Sequence, residues 1–258
     1  TLNRPDKLNA INFTMMREIN EASWKAENDH DVWTVVITGK GRALCAGADV
    51  GQMPTNKGEN AFLNLGAMWD ETYLDSMKQW DAPQEATPPY MQMTKPILCA
   101  VNGICAGAGL DLITTTDISI ASEDATFFDP HVSIGIVSGR EMVRLARVLP
   151  LNIAMRVALM GKHERMTAQR ACELGLISEV VPADNLMDRM YEIAAIVNTN
   201  APLAVRGTRM SIRKGLSLPT YEAEILAESY RLRVAVSDDA KEGPLSFLEG
   251  RDPKWQAK

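Results

Sequence analysis

Pro96-Ile97-Leu98-Cys99-Ala100-Val101-Asn102 runs directly into Gly103-Ile104-Cys105-Ala106-Gly107-Ala108-Gly109-Leu110-Asp111, and this junction decides the fold class. Its first half is a continuous apolar run of strand length, the pattern of a strand buried on both faces. Its second half is a small-residue turn that opens into helical patterning after Gly109. Upstream, Val32-Trp33-Thr34-Val35-Val36-Ile37-Thr38 followed by Gly39-Lys40-Gly41 repeats the arrangement, and residues 13–27 read as a helix behind Asn12 as its cap. Residues 118–121, 126–128 and 178–181 give further short strands. Repeated strand, turn and helix predict an α/β fold. From Asp184 onward the pattern is helical almost to the end, with Pro202 and Pro219 near helix starts and Gly215 near a stop. The chain is therefore expected to divide into an α/β core over residues 1–183 and a C-terminal helical module over residues 184–258. Residues 51–94 break the rhythm, and Met68, Trp69, Met77 and Trp80 there suit either a surface helix or an adaptable apolar wall of a pocket.

With 258 residues, 46% hydrophobic and 23% charged, the chain falls in the ordinary globular range. A net charge of −6 argues against a nucleic-acid or anionic-membrane partner, which needs a concentrated basic face. An anionic ligand would need a local basic patch. Cys45, Cys99, Cys105 and Cys172 form no C-x-x-C pair and no zinc spacing, so they read as reduced, buried cysteines of a cytoplasmic protein. No metal site is expected. No apolar run approaches the roughly 20 residues of a membrane span, and no charged-then-apolar leader opens the chain. Thr1 falls in mid-motif, which predicts a strand upstream of it.

Gly39-Lys40-Gly41-Arg42-Ala43-Leu44 starts like a dinucleotide loop but carries Leu44 in place of the third glycine, and Gly107-Ala108-Gly109-Leu110-Asp111-Leu112 fails in the same way at Leu112. A nicotinamide cofactor is disfavoured. G-x-x-x-x-G-K-[ST], H-E-x-x-H and G-x-S-x-G motifs are absent. What remains are two turns rich in Gly and Ala, Cys45-Ala46-Gly47-Ala48-Asp49 and the Gly107-Ala108-Gly109 run. Such turns either serve close packing and unusual dihedrals or leave backbone N–H groups open to an oxyanion, the second with a helix N-terminus behind it.

In these stretches the chain resembles the enoyl-CoA hydratase/isomerase, or crotonase, family. The resemblance is carried in order by Leu2-Asn3-Arg4-Pro5, Asn9-Ala10, Val36-Ile37-Thr38-Gly39, Cys45-Ala46-Gly47-Ala48-Asp49, Lys95-Pro96 and Val101-Asn102-Gly103. Asp117, Ala121, Gly161, residues 168–171, Gly175-Leu176-Ile177 and Val180-Val181-Pro182 extend it along the chain. It implies a crotonase-like spiral of ββα units that binds acyl-CoA, followed by C-terminal helices that assemble a homotrimer or a dimer of trimers. It implies no cofactor beyond the coenzyme A of the substrate. The oxyanion donors it implies are the amides of Ala46 and Ala108, the latter where relatives usually carry glycine. CoA would lie against the segments 4–9 and 44–49, including Lys7, Leu44, Ala46, Ala48 and Asp49, with Lys7, Lys40 and Arg42 for its phosphates. Phe247 would lie near the adenine and Arg251 near a phosphate, unless they are an ordinary core aromatic and a solvated charge.

Hydratases resembling this chain hold water between two glutamates, and the corresponding positions here read Asp111 and His131. A histidine with a pKa near 6.5 serves as a base at neutral pH, and both residues also have structural alternatives, a hydrogen-bonded imidazole and a helix-capping carboxylate. An Asp-His pair that fixes the tautomer of His131 forms either with Asp129 of Phe127-Phe128-Asp129-Pro130-His131, which is otherwise structural, or with Asp111 facing it across the pocket. Glu141, in Ser138-Gly139-Arg140-Glu141-Met142, either enters the pocket as a third titratable group or is a solvated acid at a helix start. His30 and His163 read as surface residues. Hydration of a 2-enoyl-CoA is the first expectation. Hydrolysis or double-bond isomerisation of a CoA thioester with His131 as base, and acyl-CoA binding without catalysis, are the alternatives.

Overall fold

The computed structural model describes residues 1–52 and 92–258. Helix α1 (Phe13–Asn28) begins as expected at Asn12, whose side chain accepts from Met15 N–H. Strands β1 (Val35–Thr38) and β2 (Ala43–Cys45) are followed by β3 (Ile97–Val101), β4 (Ile104–Ala106), helix α2 (Ala108–Thr115), β5 (Ile118–Ser122) and β6 (Thr126–Phe128). A single turn of 3-10 helix, His131–Ile134, leads to α3 (Arg140–Leu145) and α4 (Leu151–Met160). After β7 (Met166–Thr167), α5 (Ala168–Glu173) and β8 (Glu179–Val181), the chain is helical through α6 (Leu186–Asn198), α7 (Pro202–Gly215), α8 (Thr220–Ala235) and α9 (Asp238–Glu249).

Strands β1 to β6 alternate between two sheets. One has the order β1-β3-β5-β8, all parallel, and the other β2-β4-β6-β7, parallel except for the last pair. Each ββ unit thus contributes one strand to each sheet before the chain advances, which winds it as a spiral. Asn102 ties one crossing: its Oδ1 accepts from Gly39 N–H at 3.1 Å and its Nδ2 donates to Gly41 O at 2.6 Å. Strand β3 explains the packing. Side chains alternate across a strand, so Cys99 and Val101 enter the large core with Leu44, Cys105, Leu110 and Phe127, while Leu98 and Ala100 meet Leu186, Met190 and Ala194 of α6 on the other face.

The second strands of the first two units are not separable in the sequence from the turns that follow them. β2 and β4 hold three residues each, among glycines and alanines that carry little strand propensity, and pairing with neighbours overrides that weakness. Strand β1 starts at Val35, three residues later than expected, and Val35 N–H donates to Pro96 O at 2.9 Å. Met68, Trp69, Met77 and Trp80 lie outside the described residues.

Helices α7 and α8 pack on each other, and Asp117 fastens α7 to the strands. Its carboxylate accepts from Ile97 N–H at 2.8 Å, from Arg209 Nε at 2.6 Å and from Arg213 Nε at 2.9 Å.

Candidate functional site

Register brings the site together. Cys45 pairs with Cys105 and Ala106 pairs with Phe128 in the parallel order β2-β4-β6. Parallel strands end on the same side, so residues 45–49, 107–109 and 129–131 emerge side by side from their carboxyl ends, the edge where α/β sheets place ligand sites. Gly107 measures how close they come. Its φ of 51 lies in the region that glycine tolerates, and a Cβ built there would sit 3.4 Å from both Gly47 Cα and His131 Cε1. A side chain at Gly107 would fill the place where the turns and the imidazole meet.

The two turns do not offer the amides in the way the resemblance implies. Ala46 N–H donates to Leu8 O at 3.0 Å and is thereby committed. Two residues on, Ala48 N–H has no hydrogen-bond partner among the described residues, although Ala48 O accepts from Val50 N–H at 3.0 Å. Ala48, expected only against CoA, therefore replaces Ala46 as the candidate donor of that turn. Ala108 keeps its expected place: it is the first residue of α2, where helix geometry leaves N–H groups without intrahelical acceptors, and its amide has no partner among the described residues.

Asp129 and His131 form a pair. Nδ1 of His131 is hydrogen-bonded to Oδ1 of Asp129, a carboxylate with no solvent exposure, while the imidazole is partly exposed. The hydrogen bond to Asp129 raises the His131 pKa, burial opposes it, and the charges of Asp129 and Glu141 raise it further. Nδ1–H donation to a carboxylate leaves Nε2 as the proton acceptor. Oδ2 of Asp129 is buried without a partner among the described residues.

Asp111 is differently engaged. Its Oδ1 accepts from Arg144 Nη1 at 2.6 Å and its Oδ2 from Arg140 Nη2 at 3.0 Å, with the carboxylate almost fully buried. Both oxygens thus anchor α3 to α2, one turn beyond Ala108. Sequence patterning did not reveal this clamp, although Arg140 and Arg144 at four-residue spacing share one helix face. Glu141, in the first turn of α3, is half-buried and close enough for its charge to act on His131.

Among the CoA candidates, Lys7, Lys40 and Arg42 are exposed on two loops that touch, since a Cβ on Gly41 would lie 3.2 Å from Pro5 Cβ. Leu44 is fully buried, so its side chain faces the core. Asp49 accepts from Arg4 Nη2 at 2.7 Å. Phe247 is 86% exposed on α9, not a core aromatic, and Arg251 is ion-paired with Glu242 and Glu249. His30 and His163 are exposed, as expected.

Cys45 and Cys99 are buried, and burial pushes each thiol up to about 12, too high for a nucleophile at neutral pH. All four cysteines are free thiols, and Cys172 is only half-buried. No cluster of three or more His, Cys, Asp or Glu side chains fit to hold a metal occurs among the described residues, and none of their helices is long and apolar enough to cross a membrane.

Comparison with known proteins gives a consistent answer. A family described as enoyl-CoA hydratase/isomerase matches residues 1–258. An enoyl-CoA hydratase of Mycobacterium tuberculosis is 33% identical over 257 residues, 99% of this chain and 91% of that protein. A mevalonyl-coenzyme A hydratase of Aspergillus fumigatus is 31% identical over 260 residues, 99% of this chain and 90% of that protein. Among solved structures, an enoyl-CoA hydratase/isomerase from Mycobacterium paratuberculosis is 58% identical with a TM-score of 0.84, covering 99% of this chain and 92% of that one. An enoyl-CoA hydratase from Bacillus anthracis reaches a TM-score of 0.85 at 26% identity, covering 100% of this chain and 94% of that one.

Proposed function

The chain belongs to the enoyl-CoA hydratase/isomerase family of acyl-CoA enzymes, and from that premise we propose that it hydrates a 2-enoyl-CoA with the amides of Ala48 and Ala108 as oxyanion hole and His131 as base. The observation that carries this reading is the meeting at Gly107 of the two turns, whose Ala48 and Ala108 amides have no partner among the described residues, with the ring of His131. In the reaction, Nε2 of His131 takes a proton from water and the water oxygen bonds to C3. The C2–C3 π electrons shift to form a C1–C2 double bond, and the carbonyl π pair moves onto oxygen. Ala48 and Ala108 N–H groups donate to that enolate oxygen. When the carbonyl re-forms, C2 takes the proton back from the imidazolium, so one base serves both transfers. Each donor is worth a factor of roughly 100 to 1,000 in kcat, about 3 kcal/mol or more, because it is already oriented where charge develops.

Asp111 acts in this scheme as the α2–α3 anchor, since guanidinium groups occupy both of its oxygens. Glu141 tunes the charge around His131. Lys7, Lys40 and Arg42 form the basic edge for CoA phosphates, the local patch that a chain of net charge −6 needs for an anionic ligand. Coenzyme A enters as part of the substrate. Because an Asp-His pair that activates water also serves hydrolysis, a thioester or β-keto hydrolase is the second function we retain. The test is a panel of enoyl-, β-keto- and cyclic acyl-CoAs in heavy-oxygen water with product masses recorded. Addition of one labelled water to an enoyl-CoA is the expected product. Labelled free acid with released CoA, or a labelled ring-opened acyl-CoA from a cyclic β-keto substrate, would establish the hydrolase. A shifted double bond without label would overturn both, and no turnover of any thioester would leave an acyl-CoA-binding protein.

A further inference from the structure

Residues 4–11 lie along the 45–49 turn and hold it by one edge. Ala46 N–H donates to Leu8 O at 3.0 Å, Ile11 N–H to Gly47 O at 2.8 Å and Asp49 N–H to Ile11 O at 2.9 Å. Ile11 and Ala48 thereby form a parallel bridge in which the neighbours of Ala48 make the bonds. Alternation along an extended backbone then turns the Ala48 N–H to the opposite edge. The segment that does this is sharply bent. Leu8 and Asn9 have φ of 50 and 55, a conformation uncommon outside glycine that persists only where surrounding contacts over-determine it.

Those contacts come from two side chains. Asn9 has no solvent exposure: its Oδ1 accepts from Arg4 N–H at 2.8 Å, and its Nδ2 donates to Lys40 O at 3.0 Å and to Ala43 O at 2.7 Å. The seat is tight, since a Cβ on Gly39 would lie 2.8 Å from Asn9 Nδ2. Arg4 spans the strap and the turn, donating from Nη1 to Ala10 O at 2.5 Å and from Nη2 to Asp49 Oδ2 at 2.7 Å.

We propose that Arg4 and Asn9 are positioning residues of the oxyanion hole, a role that rests on the hole proposed above. They hold residues 4–11 in the bent form that engages the Ala46 and Asp49 amides and leaves the Ala48 amide aimed at the thioester carbonyl. Infrared difference spectra of the full chain saturated with butyryl-CoA, labelled with heavy carbon at the thioester carbonyl, read that aim directly. Alongside the unaltered protein the variants are Arg4→Lys, which keeps the charge and loses the fork, Asn9→Asp, which tolerates the backbone conformation, and Asp49→Asn. Asp49→Asn touches only the outer end of the Arg4 contact and serves if either of the others fails to fold by circular dichroism. In the unaltered protein the carbonyl band is expected below its frequency in free butyryl-CoA. In the folded variants that displacement should shrink by about half or more, and kcat on an enoyl-CoA at saturation should fall about tenfold, short of the loss of a whole donor. A full displacement with unchanged kcat in the folded variants overturns the positioning role and leaves the hole standing. No displacement in the unaltered protein overturns the hole, and the positioning role with it.

Discussion

His131 carries the sharpest consequence at the scale of a single residue. Its bond to Asp129 raises its pKa, and a base must be neutral to accept a proton. The acid limb of kcat/KM is therefore expected above the ordinary imidazole value of about 6.5, with activity rising as pH passes the raised value. Asp129→Asn should move that limb downward, and an unmoved limb would break the link between the pair and the rate. Stability runs the other way. A raised folded-state value makes the pair stabilising below the unfolded imidazole value, and the gain fades as pH rises through the folded one. The Asn variant should flatten that part of a plot of Tm against pH. Ala108→Pro tests the hole. Proline is tolerated at the first position of a helix and removes only an N–H that has no acceptor among the described residues, so the fold should persist while kcat drops by roughly 100-fold or more. Unchanged kcat in folded protein would remove Ala108 from the hole. At this scale the sequence was partly legible: Asp129 and His131 stand two residues apart. The choice of Ala48 over Ala46 was hidden, because it depends on which carbonyl of residues 4–11 faces the turn.

Among the elements, strands β1, β3, β5, β6 and β8 were readable from their apolar runs, and α1 from its Asn12 cap. β2 and β4 were not, because three residues beside glycines give no period, and only the register with β6 aligns the three loops of the site. The arginine pair on Asp111 was equally hidden, since the four-residue spacing of Arg140 and Arg144 on α3 does not show that their partner is Asp111 of α2. Asp117 was visible only as a family signature, while its physical role is to hold α7. Arg209, largely buried, and Arg213, partly exposed, converge on it, and Arg213 also donates to Thr114 O at 3.1 Å. Removing Asp117 leaves two partly buried guanidinium groups without their carboxylate, at a cost between that of an exposed pair and the roughly 3 kcal/mol of a fully buried one. Asp117→Ala should lower the urea midpoint accordingly, with a larger loss than Glu228→Ala, whose pair with Arg231 on α8 is exposed. Equal midpoints for the two variants would show that α7 does not depend on Asp117.

Over the whole molecule, the two-sheet spiral and the helices that follow it account for the core, yet they leave large apolar side chains uncovered, among them a run on one helix. Helix α8 has no buried residue in the single chain. Tyr221, Ile225, Leu232 and Val236 are all exposed, and at about 100° per residue they fall in one narrow stripe along α8 and its C-cap. Phe247 and Leu248 on α9 are 86% and 82% exposed. An apolar stripe on one helix, with a second apolar patch nearby in sequence, is the kind of surface that proteins cover by association. The trimer implied by the resemblance would supply a cover of matching chemistry, a second copy of the same stripe. Leu232→Glu combined with Val236→Glu would place two charges on it without touching the strands or the site. In sedimentation at micromolar concentration, the unaltered chain is expected as a trimer or a dimer of trimers and the double variant as a smaller species with a lower Tm. A monomer for the unaltered chain, or an unchanged assembly in the variant, would mean that α8 faces water or another partner.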